Sequence, residues 1–536
     1  MRMSDEVDKH TPRKFYIINN GMKDLRGHYF ETAVSIAQAA KDLGWHPVLC
    51  AHSTCETGLT PEWLEFYPVF RTDHWMAGPA KPFETDEIQI DLPKYRNSNI
   101  EKLKFGMATF DDYITSRFFI PPYLISTNVS QNSVLKKTFR RIKQIHKEQG
   151  TSAVFKKATK KILKEITPPF IIRIAKKVMS KIKRLWKKNN LTFHQTLDMT
   201  TENYYSSIFK ADLSKILAIT NAQQKDYVIL PTAHGRELFA INELCNEVPS
   251  LPSFGLEFRH ALEFPLVPLP DGQEHAYVKH HRYFFEETLK NGLKSNVNLF
   301  TDTRELVDDY VKFSGMPFKV LPIPFRQTFL ENHRIKLPKE NEKLHLIYLG
   351  DPREEKGFHW LPYLMDFLAD NYLKTGRVKL EIQASVHPKH SEIKCINALK
   401  ILQTYPKEWI TFHGLEGPLS PGDYYELIAK GHINLCPYDK ATYRSRSSGT
   451  LTEAIAAGMP TIVPDNTWLS SQQPLETGLS FNGLDDFLNK TCQLIDNYAA
   501  FFEKAKSAKD EWLRKQDPKN LILEAVKESN SAHRVN

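Results

Sequence analysis

The stretch FYIINNGMKDLRGHYFETAVSIAQAAKDLGWHPVLCA, residues 15–51, sets the architecture of the first half of the chain. Residues 15–19 form the short apolar run that a buried strand needs. Asn20 opens a loop to Gly27 and His28, and a helix follows in which Ala33, Ile36, Ala37 and Ala40 recur at helical spacing. Gly44 stops that helix, and residues 47–51 read as a second strand. Strand, glycine-containing loop, helix, glycine and strand make a βαβ unit, whose crossover makes the two strands parallel.

The alternation continues along the chain. Residues 227–230 are a short buried strand ending in PTAHG (231–235) before another helix. Residues 297–300, a helix near 302–314 and residues 319–324 close the first half. The second half opens with a strand at 344–349, the loop GDPREEKG (350–357), and a helix with Leu361, Leu364, Met365 and Leu368 on one face. Residues 378–382 alternate like a half-buried strand, and 409–413, 433–436 and 461–463 are further strands. One helix starts at Ser420-Pro421 and ends at Gly431; another runs from about Ser448 to Gly458. Residues 52–135, with aromatic-rich stretches such as WLEFYPVFRTDHW, carry no regular pattern. Two doubly wound α/β domains facing a central cleft are expected, with ligands where the carboxyl ends of strands meet that cleft. The expected division is 1–325, a polar linker at 326–342, a second domain at 343–505 and a helical tail at 506–536.

With 536 residues, the chain exceeds what one core supports. Six cysteines (Cys50, Cys55, Cys245, Cys395, Cys436, Cys492) are scattered without metal-ligand spacing, which fits buried thiols in a reducing compartment. No signal peptide is legible at the N-terminus, and nowhere do enough apolar residues run together to span a bilayer. No metal or cofactor is expected, and a cytoplasmic location follows.

The net charge of +9 is uneven. Residues 136–188 hold 19 Lys/Arg against Glu148 and Glu165, a net +17, which leaves −8 for the rest. Within them, FIIRIAKKVMSKIKRLWKK (170–188) alternates apolar and basic residues as an amphipathic helix would. That pattern suits peripheral docking on an anionic membrane surface, at the inner face of the cell membrane. A solvated helix and a nucleic-acid binder are the competing readings. Nucleic acid is not the expected partner, because interleaved aromatics for base stacking are missing.

The strongest chemical signal is RSRSSGTLTEAIAAGMP, residues 444–460. A Ser/Gly-rich turn feeding a helix N-terminus exposes unpaired N–H groups at the positive end of the helix dipole, a site for diphosphate. Ser447, Ser448, Gly449 and Thr450 form that turn. Glu453 lies about a turn inside the helix, within reach of a hydroxyl such as that of a ribose. Arg444 and Arg446 add charge that could clamp phosphate.

This segment resembles the donor-binding signature of retaining glycosyltransferases, especially glycosyltransferase family 4, in which a Glu, seven residues and a second Glu precede Ala-x-Ala-x-Gly-x-Pro. Glu453, Gly458 and Pro460 match its second half, while Ser445 stands where the first Glu would fall. The resemblance implies a ribose-binding role for Glu453. The loop at 350–357 resembles Gly-Arg-x-x-x-x-Lys-Gly, with Gly350, Lys356 and Gly357 in place, Asp351 at the Arg position and Arg353 two residues on. It implies that Lys356 and Arg353 neutralise the leaving diphosphate. Gly27-His28 resembles the glycine loop that approaches donor phosphates, and His234 matches a histidine lining the sugar and acceptor pocket. Arg236, Glu237, Glu257 and His260 fall near the same cleft.

The resemblance implies a GT-B fold and a metal-independent, hexosyltransferase-like transfer with retention. The donor would be a nucleotide diphosphate sugar and the acceptor a saccharide or lipid-linked saccharide, in envelope or capsule polysaccharide synthesis. A nucleotide-sugar epimerase and a non-catalytic sugar-nucleotide or polysaccharide binding subunit are the alternatives.

Overall fold

In a computed structural model, the described residues are 12–23, 27–55, 60–73, 199–262, 276–325, 337–338, 342–384, 392–415, 417 and 419–532. The basic insert at 136–188 and most of the expected linker at 326–342 lie outside them.

The first half runs β1 (Lys14–Asn19), α1 (Gly27–Asp42), β2 (His46–His52), β3 (Glu65–Phe70), α2 (Met199–Ile219), β4 (Tyr227–Leu230), α3 (Gly235–Glu247), β5 (Ser253–Glu257), α4 (Ala276–Lys290), β6 (Val297–Thr301), α5 (Arg304–Ser314) and β7 (Phe318–Val320). The second runs β8 (Leu344–Tyr348), α6 (Leu361–Leu368), β9 (Val378–Gln383), α7 (Ile393–Leu402), β10 (Ile410–His413), α8 (Pro421–Lys430), β11 (Ile433–Leu435), α9 (Gly449–Ala457), β12 (Thr461–Pro464), α10 (Trp468–Gln472), β13 (Gly478–Phe481), α11 (Leu484–Asp496), α12 (Tyr498–Lys515) and α13 (Pro518–Ala532).

Each half folds around its own parallel sheet. The first has the order β3-β2-β1-β4-β5-β6-β7 and the second β10-β9-β8-β11-β12-β13. The β1–β2 register runs from Lys14 against His46 to Asn19 against Ala51, so the opening βαβ unit forms as its pattern dictates. Phe15, Tyr16, Ile17 and Ile18 are fully buried, the continuous apolar run expected of a strand covered on both faces. The strand order reverses between β1 and β4 in one sheet and between β8 and β11 in the other, and such switch points open crevices at the carboxyl ends of strands.

Strand β3 is a correction to the sequence reading, which placed no element in WLEFYPVFRTDHW. Pro68 hides the strand, since it lacks an N–H for a ladder. The structure accommodates it because β3 is an edge strand with only β2 beside it.

The end of the chain returns to the first half. Helix α12 crosses the expected boundary at 505 and packs on α9; α13 then lies against α1. Leu521, Ile522 and Ala525 are buried in the cluster that holds Ala33, Ile36 and Ala37. Burying Leu521 and Ile522 contributes roughly 3–6 kcal/mol before entropy is counted. Lys519 adds an ion pair to Asp42 at 3.3 Å. The two halves are thus joined at both ends of the second sheet's chain segment.

Candidate active site

The loops that leave the two switch strands of the second sheet, β8 and β11, bring the two sequence motifs together. After β8 the chain reaches Gly350, whose N–H donates to Gln383 Oε1 at 2.6 Å. A short 3-10 turn at Glu354–Lys356 follows, closed by Gly357 in the left-handed region at φ 67°. After β11 the chain passes Pro437 and Tyr438 before Ser448 caps α9. The two loops are bonded by Asp439 N–H to the Glu355 carbonyl at 2.8 Å.

Two glycines make this approach possible. A Cβ on Gly357 would run into the Pro437 carbonyl, and one on Gly350, itself at φ 93°, would meet the Lys356 ammonium. Lys356 therefore folds back over Gly350, with Nζ 5.8 Å from the centre of the Tyr438 ring. Burial, and then the neighbouring Arg353 charge, push its pKa down to about 8, against the pull of Asp351 and Glu355. Among the described residues no carboxylate forms an ion pair with this ammonium.

Facing Lys356 is the start of α9. Ser448 caps it by accepting from Leu451 N–H, and Thr450 Oγ1 is held 3.1 Å from Ser448 Oγ and 2.7 Å from the Tyr438 hydroxyl. A Cβ at Gly350 would also come within 3.6 Å of the Thr450 methyl, so Gly350, Lys356 and Thr450 enclose one small polar space. Helix N–H groups, two hydroxyls and an unpaired ammonium around one point suit an oxyanion. Glu453, one turn on, has its pKa raised to about 7 by burial, while the Tyr424 hydroxyl donates to its Oε2 and Lys356 opposes the shift.

The other predicted residues take different places. Arg353 and Arg446 both donate to Glu355 Oε1, at 3.3 and 3.2 Å, and Arg446 also covers the Tyr443 ring. They surround Lys356 while tied to a shared carboxylate. Arg444 donates to Asp309 of α5 at 2.5 Å, and the Ser447 hydroxyl to Asp302 Oδ2 at 2.5 Å. With Thr303 Oγ1 donating to the Ser445 carbonyl at 2.7 Å, these bonds fasten residues 444–447 to the first half just after β6. Asp302 was not singled out in the sequence. Its position directly after a strand, at the carboxyl edge where ligands bind, is the signal that marks it. Tyr424 has no such signal.

In the first half, Gly27 is the first residue of α1, and the side chain of His28 lies outside the described residues. His234 caps α3, buried after β4, with its ring centre 5.3 Å from those of His260 and Tyr277 and 5.8 Å from that of His281. Its N–H donates to Glu237 Oε2 at 3.1 Å. Arg236 is consumed by Glu202 at 2.8 Å and Glu237 at 3.3 Å, a buried structural network. Glu257 ends β5 fully buried, its pKa raised to about 7 by burial, with Arg259 3.1 Å away. No group of three His, Cys, Asp or Glu side chains is placed to hold a metal ion among the described residues. No described helix is long and apolar enough to cross a membrane.

No protein-family model matches this chain, and no curated protein matches it. Solved structures do. Sucrose-phosphate synthase from Thermosynechococcus elongatus aligns with a TM-score of 0.54 at 10% identity, over 98% of this chain and all of that one. WaaG, a glycosyltransferase involved in lipopolysaccharide biosynthesis, aligns with a TM-score of 0.50 at 12% identity, over 97% of this chain and 99% of that one. At such identities the likeness bears on architecture: two parallel sheets, each flanked by helices, arranged as the two Rossmann-like domains of the GT-B fold.

Proposed function

We propose that this chain is a glycosyltransferase that takes a sugar from a nucleotide diphosphate donor, without a metal, and passes it to a saccharide or lipid-linked acceptor. The observation that carries the reading is the desolvated Lys356 ammonium without a carboxylate partner, set against the N-terminus of α9. A half-buried cation without a carboxylate partner is a ready site for an anion, and a diphosphate supplies the missing charge. As the sugar–phosphate bond breaks, negative charge grows on the leaving diphosphate, where Lys356 and the helix N–H groups stabilise it without reorganising. Arg353 and Arg446 add positive charge beside Lys356, partly offset by the Glu355 they share. Glu453 takes the donor ribose, and His234 lies on the acceptor side. Retention at the anomeric carbon is supported by the resemblance of residues 444–460 to the retaining family. An envelope product fits WaaG, a glycosyltransferase involved in lipopolysaccharide biosynthesis, only as an analogy of fold.

The pH dependence of donor binding tests this reading. Ionised Glu453 accepts a hydroxyl more strongly than the neutral acid does, so affinity rises as pH passes about 7. Lys356 pairs with phosphate only when protonated, so affinity falls as pH passes about 8. Calorimetric titration with nucleoside diphosphates is expected to give a narrow maximum between those values. Absence of binding for every nucleoside diphosphate would remove the reading.

A second reading, a non-catalytic sugar-nucleotide binding subunit, is favoured by Ser445, a buried serine at the acid position of the resembled motif. Donor hydrolysis or transfer by the purified protein excludes it; tight binding without turnover over a broad acceptor panel selects it. The basic insert at 136–188 supports membrane docking in either case. Its deletion is expected to abolish cosedimentation with phosphatidylserine vesicles at low salt, and unchanged cosedimentation would sink that part.

A further inference from the structure

Glu453 has one hydrogen-bond partner among the described residues, the Tyr424 hydroxyl, which donates to Oε2. Tyr424 sits in the first turn of α8, its N–H bonded to the carbonyl of the cap Ser420 at 3.0 Å, so its backbone is anchored independently of α9. From the turn after β8, Lys356 faces the same carboxylate. Tyr438, after β11, is committed to Thr450. Lys506 and Lys509 of α12 approach the opposite end of α9, at Gly458.

We propose that Tyr424 is a positioning residue for the donor ribose: it occupies Oε2 of Glu453 and leaves Oε1 to a single ribose hydroxyl. This rests on the nucleotide-sugar reading above. A partly desolvated carboxylate with no donor takes up a proton more readily and then offers a hydroxyl where an acceptor is needed. The Tyr424 hydroxyl opposes that, and burial together with the Glu453 charge keeps the phenol itself protonated. One residue therefore both aims the carboxylate and favours its ionised form.

The test is calorimetric titration of the full chain, as wild type, Tyr424→Phe and Glu453→Gln, from about pH 6 to about pH 9. The ligands are UDP, GDP, ADP and CDP, with the 2′-deoxy and 3′-deoxy forms of whichever binds. In Tyr424→Phe the rising limb moves up by about one pH unit, affinity near neutrality falls about fivefold, and the curves converge at high pH. Glu453→Gln loses the limb altogether. Titration of the nucleotide phosphate is common to all three proteins and cancels in the comparison. A Tyr424→Phe limb superimposed on wild type overturns the proposal while leaving the nucleotide reading intact. Failure of wild type to bind any of the four removes that reading, and this proposal with it. Wild type is also expected to lose about 10- to 100-fold in affinity for one deoxy form only. Equal losses for both would show that Oε2 is not reserved by Tyr424.

Discussion

Lys356→Met is expected to weaken nucleoside diphosphate binding about 10- to 100-fold while leaving the ligand-free protein about as stable as wild type. The two halves of that result have one cause. In the ligand-free protein the ammonium lies desolvated beside Arg353 without a carboxylate partner, and its lowered pKa records the unfavourable environment. Methionine keeps a similar length and removes the charge, and removing a half-buried charge that has no carboxylate partner costs the ligand-free fold little. The bound state loses a charge-assisted contact of about 1.5–3 kcal/mol, roughly 10- to 100-fold in affinity. Turnover loses more, on the order of 100- to 1,000-fold, because charge on the diphosphate is greatest as the bond breaks. Thermal melts with and without nucleotide read both effects together: the ligand-free midpoint holds, and the ligand-induced rise shrinks. A variant that melts much earlier without ligand would show Lys356 to be structural. One that keeps wild-type affinity would place the diphosphate elsewhere.

What could be read from the chain, and what could not, divides by the distance over which each feature is decided. The helix bounded by Ser420 and Gly431, and the one bounded by Ser448 and Gly458, form as expected because caps act within a few residues. The turn that carries Lys356 and Gly357 was legible for the same reason: a strand, a tight turn and a glycine make a local pattern. Arg444, Arg446 and Ser447 were assigned to phosphate by their nearness to a helix start. Their hydrogen bonds go to Asp309, Glu355 and Asp302, which lie 135, 91 and 145 residues away in sequence. Nothing local selects those partners. Tyr424 bonds Glu453 across 29 residues and two helices, so it became visible only once α8 and α9 were packed. Strand β3 was obscured by the opposite error, in which a local prohibition on proline was relaxed by its place at the sheet edge.

The second large effect is expected at Gly357→Ala, for which Gly292→Ala serves as the control. Both glycines hold nearly the same left-handed conformation, φ 67° and φ 70°. At either one, an L-residue adds about 1–2 kcal/mol of backbone strain. Gly292 has nothing within 4 Å of the added methyl, so its variant reports that strain alone. At Gly357 the methyl also collides with the Pro437 carbonyl, a backbone group that can yield only if the whole loop after β11 moves. Overpacking of that kind adds about 1–3 kcal/mol. The loops that separate are those joined by the Glu355–Asp439 bond, with Lys356 on one and Tyr438 on the other. Gly357→Ala should therefore lower the thermal midpoint by several degrees more than Gly292→Ala. It should also weaken nucleotide binding at least tenfold at temperatures where the protein is still fully folded. Equal melting of the two variants would mean that the loops have slack. Unimpaired binding in Gly357→Ala would mean that the close approach of the two loops does not shape the site.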